Sequence, residues 1–192
     1  MRKQLIVLAI ATSLWAAGLA SVAAGDEIEG VSFSPSIHGD NGAALELKGV
    51  GLLRHRVFFK GYVAALYLAN APGVGDGVLE DVGKRLEIEY FWSIRAEDFA
   101  RVTIEGVARN VDAGTFENLR EAIARFNTFY RDVRSGDRYA LTYLPGVGTE
   151  LALNGEKLGV IEGEEFSSAI FAIWFGENPV DERLKRQLLG RS

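Results

Sequence analysis

The chain has 192 residues, no cysteine and only two histidines, and its 21 basic against 26 acidic side chains leave a formal charge of −5. That composition excludes disulfides and thiol chemistry, and it removes the donor sets of the common zinc and haem sites. The acidic balance argues against nucleic acid or an anionic membrane as a partner.

At the N-terminus, Arg2 and Lys3 precede an uncharged apolar run from Leu5 to Ala20. Ser21-Val22-Ala23-Ala24 then supplies the small residues that a signal peptidase site needs. We therefore expect residues 1–24 to be a cleavable secretory signal, cut after Ala24 or, as second choice, after Ala23. The apolar run, about 16 residues, is shorter than the roughly 20 that a spanning helix requires, which disfavours an uncleaved anchor. Without cysteine there is no lipid-anchored variant. Removing Arg2 and Lys3 leaves 19 basic and 26 acidic residues, a formal charge of −7. The remainder suffices for one domain with its own core, exported to the periplasm or beyond, with no stable membrane span.

Residues 25–43 are rich in Gly, Ser and Asp and are interrupted by Pro35, which predicts a flexible leader with at most one short strand near Val31 to Phe33. Ala44 to Leu47 and Val57 to Leu68 are apolar runs rich in branched and aromatic residues, the pattern of neighbouring strands. The stretch Ala71-Pro72-Gly73-Val74-Gly75-Asp76-Gly77 reads as a surface loop, with the wrong spacing for a dinucleotide fingerprint. Arg85 to Trp92 alternates, placing Leu86, Ile88, Tyr90 and Trp92 on one face of a strand.

The period then becomes helical. Phe99, Val102, Thr103, Gly106 and Val107 form one stripe, and Phe116, Leu119, Ile123, Phe126 and Tyr130 form a second. The break falls between Asn110 and Gly114, with Thr115 or Asp112 as N-cap of the second helix. Tyr139 to Leu144, Glu150 to Leu153 and Leu158 to Ile161 are short strands. Their connectors, Pro145-Gly146-Val147-Gly148 and Asn154-Gly155-Glu156-Lys157, have turn chemistry, so an antiparallel meander is expected. Phe166, Ile170, Ile173 and Trp174 mark a third helix ending near Gly176. Asn178 as cap and Pro179 as first residue begin a fourth, which carries Leu184 and Leu188 and stops at Gly190. Grouped strands and grouped helices give an α+β domain over residues 44–192: a curved antiparallel sheet with helices packed on one face.

Gly49-Val50-Gly51-Leu52-Leu53-Arg54, followed by Phe58-Phe59-Lys60-Gly61-Tyr62-Val63-Ala64-Ala65-Leu66-Tyr67-Leu68, resembles the paired strands of chalcone isomerase-like proteins, particularly their exported bacterial branch. The closing segment, Ile173-Trp174-Phe175-Gly176 with Pro179 and Leu184 to Gly190, resembles that family's last helices. The resemblance implies an open-faced β-sandwich with a cleft between sheet and helices. It also implies catalytic roles that this sequence fills poorly. Arg54 matches the substrate-holding arginine, but Tyr62 replaces the strand threonine and Ile173 the hydroxyl of the penultimate helix. The family's tyrosine, lysine and asparagine in the first helix after Trp92 have no match here; Phe99, Arg101 and Gly106 lie nearby.

Ring closure of a chalcone needs preorganised donors around developing charge, and Ile173 supplies none. The family also contains non-catalytic members that hold a fatty-acid carboxylate with an arginine and a tyrosine, and Arg54 with Tyr62 is closer to that pattern. Along one continuous strand these two residues would stand about 26 Å apart at roughly 3.3 Å per residue, so they converge only if the chain turns or bulges between them. A turn centred at His55 would instead set Lys48 across from Tyr62. The candidate ligand-binding residues are therefore Arg54, Tyr62, Lys48 and Arg101. No metal and no cofactor is expected.

Each candidate has a structural reading too: a basic tripeptide such as Arg54-His55-Arg56 can be a solvated turn, and Tyr62 and Tyr67 can be strand aromatics. Three functions stand open. The first is a binder of a small apolar or amphiphilic ligand such as a fatty acid. The others are an isomerase or intramolecular lyase on an unknown substrate, and an exported scaffold whose cleft is closed by side chains. A packed layer with Arg54 in solvent would favour the scaffold.

Overall fold

The computed structural model describes residues 26–39, 42–55, 59–69 and 77–191; the expected signal segment, most of the expected 71–77 loop, the expected strand start at Val57 and the His55 side chain lie outside them. Among the described residues nine strands and five helices follow in chain order. The strands are β1 (Glu27–Ile28), β2 (Val31–Ser32), β3 (Ser36–His38), β4 (Ala44–His55), β5 (Phe59–Ala69), β6 (Lys84–Tyr90), β7 (Arg138–Leu144), β8 (Gly148–Leu153) and β9 (Glu156–Ile161). The helices are α1 (Ala96–Ala108), α2 (Ala113–Asn118), α3 (Arg120–Asn127), α4 (Glu164–Phe175) and α5 (Glu182–Leu188).

β3 to β9 form one seven-stranded sheet in which each strand pairs with its neighbour in sequence. Every pairing is antiparallel. Period-two alternation sorts its side chains. Tyr62, Ala64, Leu66 and Leu68 face the helices, with Leu86, Ile88, Tyr90, Tyr139, Leu141 and Leu151. Val63, Ala65 and Tyr67 face the other way and pack with Val31, Phe33 and Leu52. The α+β architecture with helices on one face is thus observed.

Local chemistry explains most boundaries. Asp112 caps α2, accepting from the amides of Gly114 at 2.8 Å and Thr115 at 3.0 Å. Asn154 and Gly155 take positive φ in the two-residue β8–β9 turn, the backbone that a tight hairpin demands. Gly176 ends α4, and Gly190, at φ +68°, follows α5.

Four expectations need revision. The segment before Ala44 holds three short strands, because Phe33 and Val31 bury themselves against the back of the sheet and β3 hydrogen-bonds to β4. The second helical stripe is broken at Leu119, whose near-zero ψ separates α2 from α3. The last helix starts at Glu182, capped by Asp181 at 2.7 Å from the Leu184 amide. Asn178 instead ties to Asn110 and Arg109 of the first helical hairpin. Trp92, placed by alternation on the buried face, lies beyond β6 and is 55% exposed; it donates to the Lys60 carbonyl.

Among the described residues no helix is long and apolar enough to cross a membrane.

Candidate functional site

Two tight glycine contacts set the helical layer on the sheet. At Gly49 a Cβ would meet the Gln187 carbonyl at 2.4 Å, so only glycine lets α5 lie this close to β4. At Gly106 a Cβ would meet Ile173 at 2.9 Å, which brings α1 against α4. A cavity of about 60 Å³ remains between β6, β7 and β8 on one side and α1, α3 and α4 on the other.

Aliphatic side chains form its floor: Leu86 and Ile88 from β6, Leu141 from β7 and Leu151 from β8. The wall is aromatic and comes from the helical layer and the strand ends, with Phe99, Phe126, Tyr130, Trp174, Tyr90 and Tyr139. Phe99 stands at the centre of these rings, stacked on Tyr130 at 5.3 Å and edge-on to Tyr90 at 5.3 Å and Tyr139 at 5.2 Å. Such offset and edge-on pairs add about 1 kcal/mol each beyond buried area, so this wall is held by its own packing. Val102 lines the cavity and is also 40% exposed, which places the opening beside α1.

The polar groups of the lining are few. Tyr130 and Thr103 share a hydrogen bond of 2.7 Å. Tyr139 donates to the Arg131 carbonyl and accepts from the Arg131 amide, both at 2.8 Å. Tyr90 makes no hydroxyl hydrogen bond among the described residues. Burial pushes the phenols of Tyr62, Tyr90, Tyr130 and Tyr139 upward, so all four are neutral donors at physiological pH. Among the described residues no Asp, Glu, Lys, Arg or His belongs to the lining.

The structure separates the residues proposed from sequence. Tyr62 lies opposite Leu53 on the helix-facing side and accepts from Trp174 Nε1 at 3.0 Å. Its edge meets the Tyr90 ring at 5.8 Å, so it braces the cavity wall from behind. Arg54 is near Tyr62 along the β4–β5 pair, where Leu53 stands opposite Tyr62 and Arg54 opposite Lys60, but a register shift falls between Leu53 and Arg54. The guanidinium reaches Glu29 at 3.4 Å, beside Lys60, which pairs with the same carboxylate. Glu29 belongs to the β1–β2 turn, whose neighbour Ile28 covers the opposite face of the sheet. Arg54 and Tyr62 therefore do not converge on one ligand atom in this structure. Lys48 sits exposed at the β4 bulge between Leu47 and Gly49, at the far end of the hairpin from Tyr62. Arg101 is exposed on α1 and pairs with Asp98 at 3.1 Å and Glu105 at 3.6 Å.

A family model of chalcone isomerase-like proteins matches residues 25–190. The chain belongs to the chalcone isomerase-like family. Among solved structures, a fatty-acid binding protein of Arabidopsis thaliana superposes with a TM-score of 0.67 at 19% identity, over 83% of this chain and 92% of that one. At that identity the likeness concerns the fold. No curated protein sequence gives a significant match. Ile173 and Phe99 are apolar parts of the cavity lining.

Sequence reasoning missed Tyr90, Tyr130, Tyr139 and Thr103 as a set. Each carried a signal, being an aromatic or hydroxyl residue on the buried stripe of its own element. Their convergence depends on which strands the helices cross. It also missed Lys84, at the start of β6 and fully buried on the helix-facing side. Its Nζ donates to the Glu80 carbonyl at 2.7 Å and lies 4.8 Å and 5.3 Å from the Tyr143 and Phe171 ring centres. Desolvation pulls this amine down to about 8.

Proposed function

We propose that this chain is an exported, non-catalytic member of the chalcone isomerase-like family, of its bacterial branch, that binds a small apolar or amphiphilic molecule between sheet and helices. Fatty acids exemplify that ligand class. The observation that carries this reading is the cavity itself, an apolar and aromatic chamber with a few neutral hydroxyls at the sheet–helix interface. That composition suits apolar ligands, because an apolar body is desolvated at no polar cost while one or two hydroxyls orient it. The printed function of the Arabidopsis relative supports the same class. Ile173, Phe99 and Gly106 give no acid, base or anion-holding group from α1 or α4, which supports binding over ring closure.

The void is far below the roughly 300 Å³ of a typical ligand pocket. A ligand must therefore displace side chains of the α1 wall, with Phe99 and Val102 nearest the opening. Native mass spectrometry on protein purified from its own compartment tests the reading. A co-purifying apolar molecule, released by Phe99→Trp, is the expected result; a chain that is always empty and takes up no apolar ligand refutes it. Export is tested by N-terminal sequencing of that same protein, which should begin at Gly25.

The small void and the exposed Arg54 ion pair favour a second reading, a scaffold closed by its own side chains. In that case apolar ligands would leave the melting temperature unchanged.

A further inference from the structure

If the cavity binds a ligand as read above, its hydroxyls decide which polar group that ligand can carry. Among the described residues every lining hydroxyl except one has a partner. Thr103 and Tyr130 satisfy each other, and Tyr139 is held on both sides by the Arg131 backbone. Tyr90 is 95% buried, since only 5% of its surface is exposed, and it lines the cavity with no hydroxyl hydrogen bond among the described residues. Its hydroxyl is not among the sealed-off unpartnered groups of the chain, so it keeps accessible surface and can donate to a bound acceptor in place of water.

The charge of that acceptor follows from the surroundings. Among the described residues no cationic side chain lines the cavity. Arg54 is engaged with Glu29, and Arg101 with Asp98 and Glu105 at the surface. A carboxylate brought to Tyr90 would lose its hydration and meet only one neutral donor, which is a poor exchange for an anion. A carbonyl oxygen loses far less and gains the same hydrogen bond.

We propose that the cavity selects uncharged ligands bearing a hydrogen-bond acceptor, a ketone, an ester or a fatty acid in its protonated form rather than an ionised carboxylate, and that Tyr90 Oη donates to that acceptor. Tyr90 is then the residue that determines specificity, a role that neither Arg54 nor Tyr62 fills.

The test is displacement of the neutral dye N-phenyl-1-naphthylamine from the full mature chain at neutral pH by 2-decanone and by decanoate. We expect 2-decanone to compete at least about 100-fold more strongly than decanoate, the size of an uncompensated buried charge. Tyr90→Phe should weaken 2-decanone about tenfold and change dye affinity less than twofold, as loss of one hydrogen bond predicts. Decanoate competing as well as 2-decanone in the unaltered protein overturns the proposal without need of the variant. So does a folded Tyr90→Phe protein with unchanged affinity for 2-decanone. If dye and both decyl compounds fail to bind at all, the ligand-binding reading falls, and this proposal with it.

Discussion

Lys84 offers a quantitative test of the packing on the helix side of the sheet. Its amine is fully buried and ionises near 8 in the folded chain against 10.5 when free. Burial, which disfavours the charged form, is the leading cause, while Asp81, Glu164 and Glu80 oppose it. The folded value lies below the unfolded one, so between those two pH values the unfolded chain binds the extra proton. Stability therefore rises as pH climbs from about 8 toward 10.5, and is lowered at and below pH 7. The difference corresponds to about 3 kcal/mol at neutral pH, at 1.36 kcal/mol per unit.

Lys84→Met retains the length and apolar stem, removes that charging cost, and loses the hydrogen bond to the Glu80 carbonyl, worth about 1 kcal/mol. The variant should thus be about 2 kcal/mol more stable at pH 7, roughly 5 °C in melting temperature for a domain of this size. The gap should close by pH 10, where the folded lysine is already neutral. Urea denaturation at pH 7, 8, 9 and 10 measures it. A Lys84→Met protein less stable than the parent at pH 7, or a gap constant across the series, would refute the reasoning.

Above pH 10 the raised phenols of Tyr62, Tyr90 and Tyr130 act in the opposite sense. Their stability is complete below the unfolded value near 10 and is lost as pH rises beyond it, so the parent's melting temperature should pass through a maximum close to pH 10. Gly49→Ala forces a Cβ to 2.4 Å from the Gln187 carbonyl and should cost about 3 kcal/mol or more in chemical denaturation, whereas Gly51→Ala meets only side-chain atoms and should cost less. Ile173→Ala removes a buried side chain from the cavity edge. It should cost about 2–4 kcal/mol while increasing uptake of the neutral dye, read by fluorescence titration. Arg54→Ala breaks only a partly exposed ion pair and should shift stability by less than about 1 kcal/mol with dye affinity unchanged.

Much of the fold was legible because its causes are local. The alternation of Leu86, Ile88 and Tyr90, the Asn154-Gly155 turn and the α4 stripe each depend on residues a few positions apart. The family resemblance extended this to the architecture, since the paired strands and closing helices were recognisable as motifs. Legibility failed where distant chain decides. Asn178 and Pro179 have helix-starting chemistry, yet Asn178 is claimed by Asn110 across the helical layer and α5 begins later. The leader is polar in composition, but Phe33 gains more by covering the back of the sheet than by staying in solvent.

The candidate site follows the same division. Sequence alone determined a two-faced sheet, an acidic chain without thiols, and apolar side chains at Ile173 and Phe99. Only the tertiary structure decided which side chains meet. A register shift between Leu53 and Arg54, together with the β1–β2 turn, sends the arginine to Glu29 and away from Tyr62. The crossing of α1 over the sheet gathers Tyr90, Tyr130 and Tyr139 around Phe99. A shift of one residue reverses the face of every following side chain on a strand, and its position is set by pairing partners far away in sequence. Residue types are written in the chain, but their convergence is a property of the packed layers.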